Sequence, residues 1–189
     1  MMKNFIKQKL EASLLNESVK GGSFVAYHGS KTKIANFSDE FVGSKEAVDQ
    51  EGPGIYFTSS KEEANRYGEF VYSVILSPRV LLDKTPTNPT KLRPLVNKMV
   101  MMAPEWEMHA QNYDENPKRG ASQFIESALE YNDTEKDVAQ QIWYDFYKNE
   151  PVDYVRNMVK MGIDGLLVPK EYDNVTHYII YNPSIIKTQ

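Results

Sequence analysis

The pattern of apolar and polar residues divides the chain into two strand-rich ends and a helical middle. Between about residues 86 and 161 the apolar positions recur every three or four residues, which predicts helices. Runs with strand composition flank this block, at residues 23–30, 54–58, 70–77, 164–168 and 176–181. Strands on both sides of a helical block predict an α+β domain whose sheet closes late in the sequence. We therefore expect residues 1–189 to form a single domain, with residues 86–161 as a helical insertion.

Caps and breakers indicate where the helices begin and end. An apolar stripe predicts an N-terminal amphipathic helix at about residues 3–16. Ser59 or Ser60 can cap a short helix that Gly68 ends. In the middle we expect helices near Leu92–Met102, Ser122–Tyr131, Glu135–Lys148 and Val152–Met161, broken by Pro104, by Pro117 to Gly120 and by Pro151.

The composition is that of an ordinary globular domain, and it excludes several kinds of site and partner. The chain has 22 Lys and Arg against 26 Asp and Glu, a net charge of −4, which disfavours extended nucleic-acid binding but leaves a local patch open. Cysteine is absent, which excludes disulfides, thiolate zinc sites and thiol nucleophiles. The three histidines have no short ligand spacing, so no metal site is expected.

The apolar runs are far shorter than the ~20 residues of a membrane span. The N-terminus lacks a secretory signal, so we expect a cytoplasmic protein without a membrane partner.

Residues that can carry chemistry occur on three predicted strands and one helix. His28 and Gly29 end the first strand, Tyr56 and Tyr67 lie eleven positions apart on a strand and the next helix, and His177 lies on the last strand. A strand tyrosine and a helix tyrosine at this separation can form a slot for a flat ring. Beside it, an imidazole can bind ribose hydroxyls, and a glycine backbone can approach a carboxamide. These are the requirements of nicotinamide riboside.

With these motifs the sequence resembles the ADP-ribosyltransferase superfamily, specifically its His-Tyr branch, which contains diphtheria toxin and the poly-ADP-ribose polymerases. The matching features are the first-strand His-Gly and the two tyrosines separated by ten residues. The resemblance implies a split antiparallel β-sheet core with a helical insertion. It also implies that His28 holds the adenosine ribose, that Gly29 pairs with the carboxamide, and that Tyr56 and Tyr67 flank the nicotinamide ring. Ser30 and Ser60 join these as NAD-binding residues.

The third motif departs from the family pattern, because His177 stands where similar phage and bacterial sequences have Glu. A carboxylate at this position stabilises the oxocarbenium-like ribose that forms when the nicotinamide bond breaks. A histidine with an ordinary pKa of ~6.5 is mostly neutral at pH 7 and supplies no negative charge. Three outcomes stay open. His177 substitutes for the glutamate, or Glu171 in the preceding loop supplies the acid, or catalysis is lost.

The function implied by the resemblance is transfer of a single ADP-ribose unit from NAD to a macromolecule. The favoured acceptor is a host protein, in the host cytoplasm if the chain is encoded by a phage. The alternative is a catalytically inactive module that binds NAD or a protein. We expect the helical insertion to act as a lid or target platform. The loop Ser44–Glu51 is expected to be a solvated surface loop, and the alternative is that it covers the site or contacts the target. Trp106 and Trp143 are expected to be packing aromatics, and Asp164-Gly165 a turn.

Overall fold

A computed structural model describes residues 22–38, 42, 48–49, 51–147, 150–170 and 174–189. The predicted helix at 3–16, Glu171 and most of the loop Ser44–Glu51 lie outside the described residues. Within them the strands are β1 Phe24–Ser30, β2 Val48–Asp49, β3 Gly52–Pro53, β4 Ile55–Thr58, β5 Phe70–Leu76, β6 Leu81–Leu82, β7 Gly165–Lys170, β8 Val175–Ile180 and β9 Ile186–Thr188. The helices are α1 Lys61–Asn65, α2 Pro89–Met101, α3 Trp106–Ala110, α4 Pro117–Tyr131, α5 Glu135–Ile142 and α6 Pro151–Lys160. A π-helical turn, Trp143–Tyr147, continues α5, and a short 3₁₀ turn, Pro183–Ile185, precedes β9.

Strands from both ends of the chain form one sheet in the order β6-β7-β8-β4-β1-β5-β9. Neighbouring strands are antiparallel except β6 and β7, which the helical block connects. The joint between β1 and β4 consists of one pair, Tyr27 with Thr58, whereas every residue of β1 pairs with β5. The sheet therefore divides into two halves at this joint. These observations confirm the α+β class and the split, largely antiparallel core.

One hydrophobic core joins the helical block to the sheet. Leu166 and Ile179 from the sheet and Phe124 from α4 are fully buried within it. Trp143 is also buried and Trp106 packs against the core, as expected of packing aromatics. No helix in the described part of the chain has the length and hydropathy needed to cross a membrane.

The segment around Pro117 begins a helix rather than ending one. The Asn116 side chain accepts hydrogen bonds from the main-chain N–H groups of Lys118 and Arg119, and Pro117 takes the first helical position, where no donor is needed. Gly120 lies inside α4. A residue without a side chain is needed there, because a Cβ would lie 2.0 Å from the Ala110 carbonyl oxygen. The predicted break at Pro117 to Gly120 was wrong, and the predicted helix at 135–148 changes to a π-helical turn at Trp143.

Asp164 is a buried anchor directly before β7, and Gly165 is the first residue of that strand, so the predicted turn at Asp164-Gly165 was wrong. Its carboxylate accepts hydrogen bonds from Arg79 Nη2 at 2.7 Å, from the Arg79 main-chain N–H at 2.7 Å and from Asn182 Nδ2 at 2.8 Å. Burial alone would raise the pKa of Asp164, but these bonds outweigh it and hold that pKa below its ordinary value. Asp164 thereby connects the chain before β6, the start of β7 and the chain after β8.

Candidate functional site

His28 links the two halves of the sheet through the backbone of Tyr56. Its Nδ1 lies 2.7 Å from the Tyr56 carbonyl oxygen, which can only accept, so Nδ1 carries the proton and Nε2 of the neutral ring is an acceptor. The ring packs among Phe37, Phe57 and Tyr72. Burial lowers the pKa of His28, and the bond to the carbonyl opposes this only in part. At neutral pH the imidazole is therefore uncharged and held in one tautomer.

The strand register brings the third motif beside the first. Tyr27 on β1 lies opposite Thr58 on β4, and Thr58 lies opposite His177 on β8. Because side chains alternate along a strand, Gly29, Tyr56 and His177 lie on the same face of the sheet as this pair. The imidazole of His28 lies on the other face.

Helix α1 packs closely on this face at Gly29. A Cβ on Gly29 would lie 1.8 Å from the carbonyl oxygen of Ala64 and 3.2 Å from the Cβ of Tyr67. The absence of a side chain therefore lets the helix approach β1 and brings Tyr67 to the strand. Tyr67 itself remains 50% exposed.

Ser60 and Thr58 fix the start of α1. The Ser60 hydroxyl accepts a hydrogen bond from the Glu63 main-chain N–H at 3.2 Å, as an N-cap does. The Ser60 N–H donates to Thr58 Oγ1 at 3.2 Å. The expected cap is confirmed, and the hydroxyl that the sequence assigned to NAD binding is engaged in it.

Tyr56 is held from the helical block through Glu51. Its hydroxyl donates to the Gly52 carbonyl oxygen at 2.6 Å, and the neighbouring Glu51 carboxylate pairs with Lys136 at 3.0 Å and Lys170 at 3.3 Å. Lys136 is almost fully buried, with 4% of its side chain exposed. Burial favours a higher pKa for Glu51, but the two lysines outweigh it and lower that pKa.

Sequence analysis did not single out Glu63, whose carboxylate lies between predicted site residues. Glu63 Oε1 accepts a hydrogen bond from the Tyr67 hydroxyl at 3.3 Å and lies 3.9 Å from His177 Nε2. Its Oε2 forms a 2.9 Å ion pair with Arg66. Two signals were available, because Ser60-x-x-Glu63 fits a capping box and Glu63 precedes Tyr67 by one helical turn.

The structure thus groups most of the predicted site residues. Gly29, Tyr56, Tyr67 and His177 lie on or against one face of the sheet, and His28 reaches them through the Tyr56 carbonyl. Ser30 ends β1, and its hydroxyl accepts from the Thr32 N–H at 3.1 Å. Among the described residues no three acidic or histidine side chains form a metal-binding group. The site therefore offers aromatic rings, a glycine backbone, an imidazole acceptor and one carboxylate.

Comparison with known proteins assigns the class. Residues 19–189 match the family described as ADP-ribosyltransferase in polyvalent proteins. The split sheet is that of an ADP-ribosyltransferase, and the chain belongs to this family. A crystal structure of an anti-CRISPR protein is similar at 14% identity and a TM-score of 0.39, over 88% of this chain and 96% of that chain. A search of the curated proteins gave no match.

Proposed function

We propose that the protein is an NAD-dependent mono-ADP-ribosyltransferase of the His-Tyr branch. Family membership supplies the class of reaction. The observation that carries the rest is the close packing of α1 on Gly29. It brings Tyr67, two residues beyond the end of α1, against the face that Tyr56 and His177 share. This grouping supports the proposal that these residues form the nicotinamide end of an NAD site.

Binding of NAD follows from the same contacts. The nicotinamide ring lies between Tyr56 and Tyr67, where two phenol rings offer flat apolar faces. Its carboxamide pairs with the main chain of Gly29, which lies beyond Tyr27, the residue of β1 that pairs with β4. The adenosine half passes the joint between β1 and β4, where only Tyr27 and Thr58 pair, because the His28 imidazole lies on the other face of the sheet. There a ribose hydroxyl donates to Nε2 of His28, the acceptor nitrogen of the ring.

The reaction breaks the bond between ribose C1′ and the nicotinamide ring nitrogen. The bonding electron pair leaves with nicotinamide and neutralises its pyridinium, so positive charge develops on the ribose. An oxygen or nitrogen nucleophile of the acceptor then bonds to C1′ and gives up its proton. A preorganised negative group near C1′ stabilises the cationic transition state.

We propose a host protein as the acceptor and the helical insertion as the part that contacts it. The net charge of −4 disfavours an extended nucleic-acid surface. The insertion leaves and re-enters the sheet between β6 and β7, so its outer surface is available to a target without disturbing the strands that carry the site. That surface would then determine which side chain of the target accepts the ADP-ribose.

Incubation of the purified protein with adenine-labelled NAD and bacterial lysates tests the proposal. We expect label that stays on protein after denaturation, and its loss in a Tyr67→Ala variant. Absence of both label transfer and nicotinamide release across several lysates would contradict the proposal.

A catalytically silent NAD-binding module is the second candidate, favoured by His177 at the position of the family's Glu. Calorimetry with NAD and a His177→Glu variant discriminates between the two. If the wild type binds NAD without turnover and the variant releases nicotinamide, the silent module is correct. If the wild type itself releases nicotinamide, the silent module is excluded, and label on protein in the lysate experiment then identifies the transferase.

A further inference from the structure

We infer that Glu63 supplies the carboxylate of this site, from helix α1 instead of strand β8. The inference rests on the proposed function and identifies the anionic group that His177 does not provide. It differs from the earlier expectations, in which His177 or Glu171 took this role.

The position of the Glu63 carboxylate carries the inference. Its Oε1 lies 3.3 Å from the Tyr67 hydroxyl and 3.9 Å from His177 Nε2. Tyr67 flanks the nicotinamide in the proposed complex, and His177 takes the position of the family's Glu. The Glu63 carboxylate therefore lies next to the position that the resemblance gives to the family's Glu, and it is supplied by α1 instead of β8.

Local structure explains why Glu63 points into the site. In a complete capping box its side chain would turn back to the Ser60 N–H. Here Thr58 Oγ1 accepts from that N–H, so the cap does not require the carboxylate. Arg66 holds Oε2 at 2.9 Å, which leaves Oε1 toward Tyr67 and His177. Only 15% of the Glu63 side chain is exposed, so water screens its charge weakly.

The same arrangement suits a ribose hydroxyl. Glu63 Oε1 and His177 Nε2 are 3.9 Å apart, so one hydroxyl can lie within about 2.8 Å of both atoms. Oε1 then accepts a hydrogen bond from the 2′-hydroxyl, and the negative charge of the carboxylate stabilises the cation that develops at the adjacent C1′. His177 contributes a second polar contact to the same hydroxyl.

A set of variants tests the role of Glu63 by nicotinamide release and by calorimetric binding of NAD. We expect Glu63→Gln to lower kcat about 100- to 1,000-fold, the usual effect of losing a preorganised charge, with the Kd for NAD within a few-fold of the wild type. Glu62→Gln is the matched control, since Glu62 is exposed on the same helix, and it should leave kcat unchanged. Combining Glu63→Gln with His177→Glu returns a carboxylate to the site from β8 and should recover at least about tenfold of the lost rate.

The outcomes separate the two claims. Glu63→Gln with wild-type kcat overturns the role of Glu63 while leaving the proposed function intact. A wild type that binds NAD but releases no nicotinamide overturns the proposed function and, with it, the role of Glu63. Tyr67→Phe removes the hydroxyl that donates to Glu63 but keeps the Glu63 charge. It therefore distinguishes loss of this hydrogen bond from loss of the charge. It should reduce kcat far less than Glu63→Gln, and equal losses in both variants overturn the inference.

Discussion

The imidazole of His28 donates a 2.7 Å hydrogen bond to the main-chain carbonyl of Tyr56, at the joint where the two halves of the sheet meet. The ladder between their strands consists of the single pair Tyr27 and Thr58, so the side chain takes the place of a missing backbone partner. This bond fixes the tautomer of His28, and it also holds the backbone of β4 at Tyr56. One residue thus serves both the fold and the proposed ribose contact.

The buried imidazole predicts a loss of stability on acidification. Burial lowers the pKa of His28 in the folded state, so below the ordinary value of ~6.5 the unfolded chain binds the additional proton. Stability is therefore complete above pH ~6.5 and falls as the pH drops toward the folded pKa. At pH 5.5 the loss from this group is at most about 1.4 kcal/mol. Urea unfolding at pH 8 and pH 5.5 should show this difference in the wild type, and a His28→Gln variant should show less of it.

Tyr67 should matter for NAD binding far more than for stability, because half of it is exposed. Stacking of a base on an aromatic ring contributes about 1–3 kcal/mol, so Tyr67→Ala should weaken NAD binding roughly 5- to 150-fold. Its melting temperature should change little. Tyr131→Ala, at a tyrosine that is 77% exposed on α4, is the control and should bind NAD like the wild type. Equal NAD affinities of the two variants in calorimetry would count against the tyrosine clamp.

Gly29 should tolerate no side chain, since a Cβ would lie 1.8 Å from the Ala64 carbonyl oxygen. Gly29→Ala must push α1 away from β1, at a cost of about 1–3 kcal/mol, and should weaken NAD binding as Tyr67 moves. Gly162→Ala is the control, because it introduces backbone strain without crowding: φ is +85° there, and a Cβ would meet nothing within 4 Å. That variant should lose stability only. Urea unfolding and calorimetry of both proteins test the difference, and unimpaired NAD binding by Gly29→Ala would show that α1 does not set the site.

Removal of the Glu51 charge should destabilise the protein and disturb Tyr56. Glu51→Gln leaves the buried Lys136 without its 3.0 Å partner, a change that costs on the order of 3 kcal/mol. Tyr56 bonds to the adjacent Gly52 carbonyl, so NAD affinity should fall as well. Glu126→Gln breaks an exposed pair with Arg93 and should cost less than about 1 kcal/mol. Thermal unfolding compares the two, and equal losses of stability would contradict the anchoring role of Glu51.

The sequence predicted the elements that carry the site because their signals are local. Tyr56 lies in a short apolar run, and Ser60 gives a clear cap for α1, the helix that precedes Tyr67. Strands of two residues, such as β3 and β6, are too short to show any periodicity. Pro117 is compatible with both the end and the start of a helix, and Asn116 decides for the start by accepting from two N–H groups.

The parts of the site that the sequence did not predict depend on tertiary contacts. Glu63 reads as one of several charges on a short surface helix, and it acquires a neighbour on β8 only when α1 packs on Gly29. Lys136 also reads as a surface residue, and its burial depends on Glu51, which is distant in the sequence. The resemblance drew attention to His177 in the sequence, but not to the Glu63 carboxylate that lies 3.9 Å from its Nε2.

The most direct test follows two labels in NAD at once, one on nicotinamide and one on adenine, in the presence of purified protein and a bacterial lysate. The account predicts that the nicotinamide label becomes a free small molecule while the adenine label becomes bound to protein, in equal amounts. NAD that binds to the protein but keeps both labels on one molecule would contradict it.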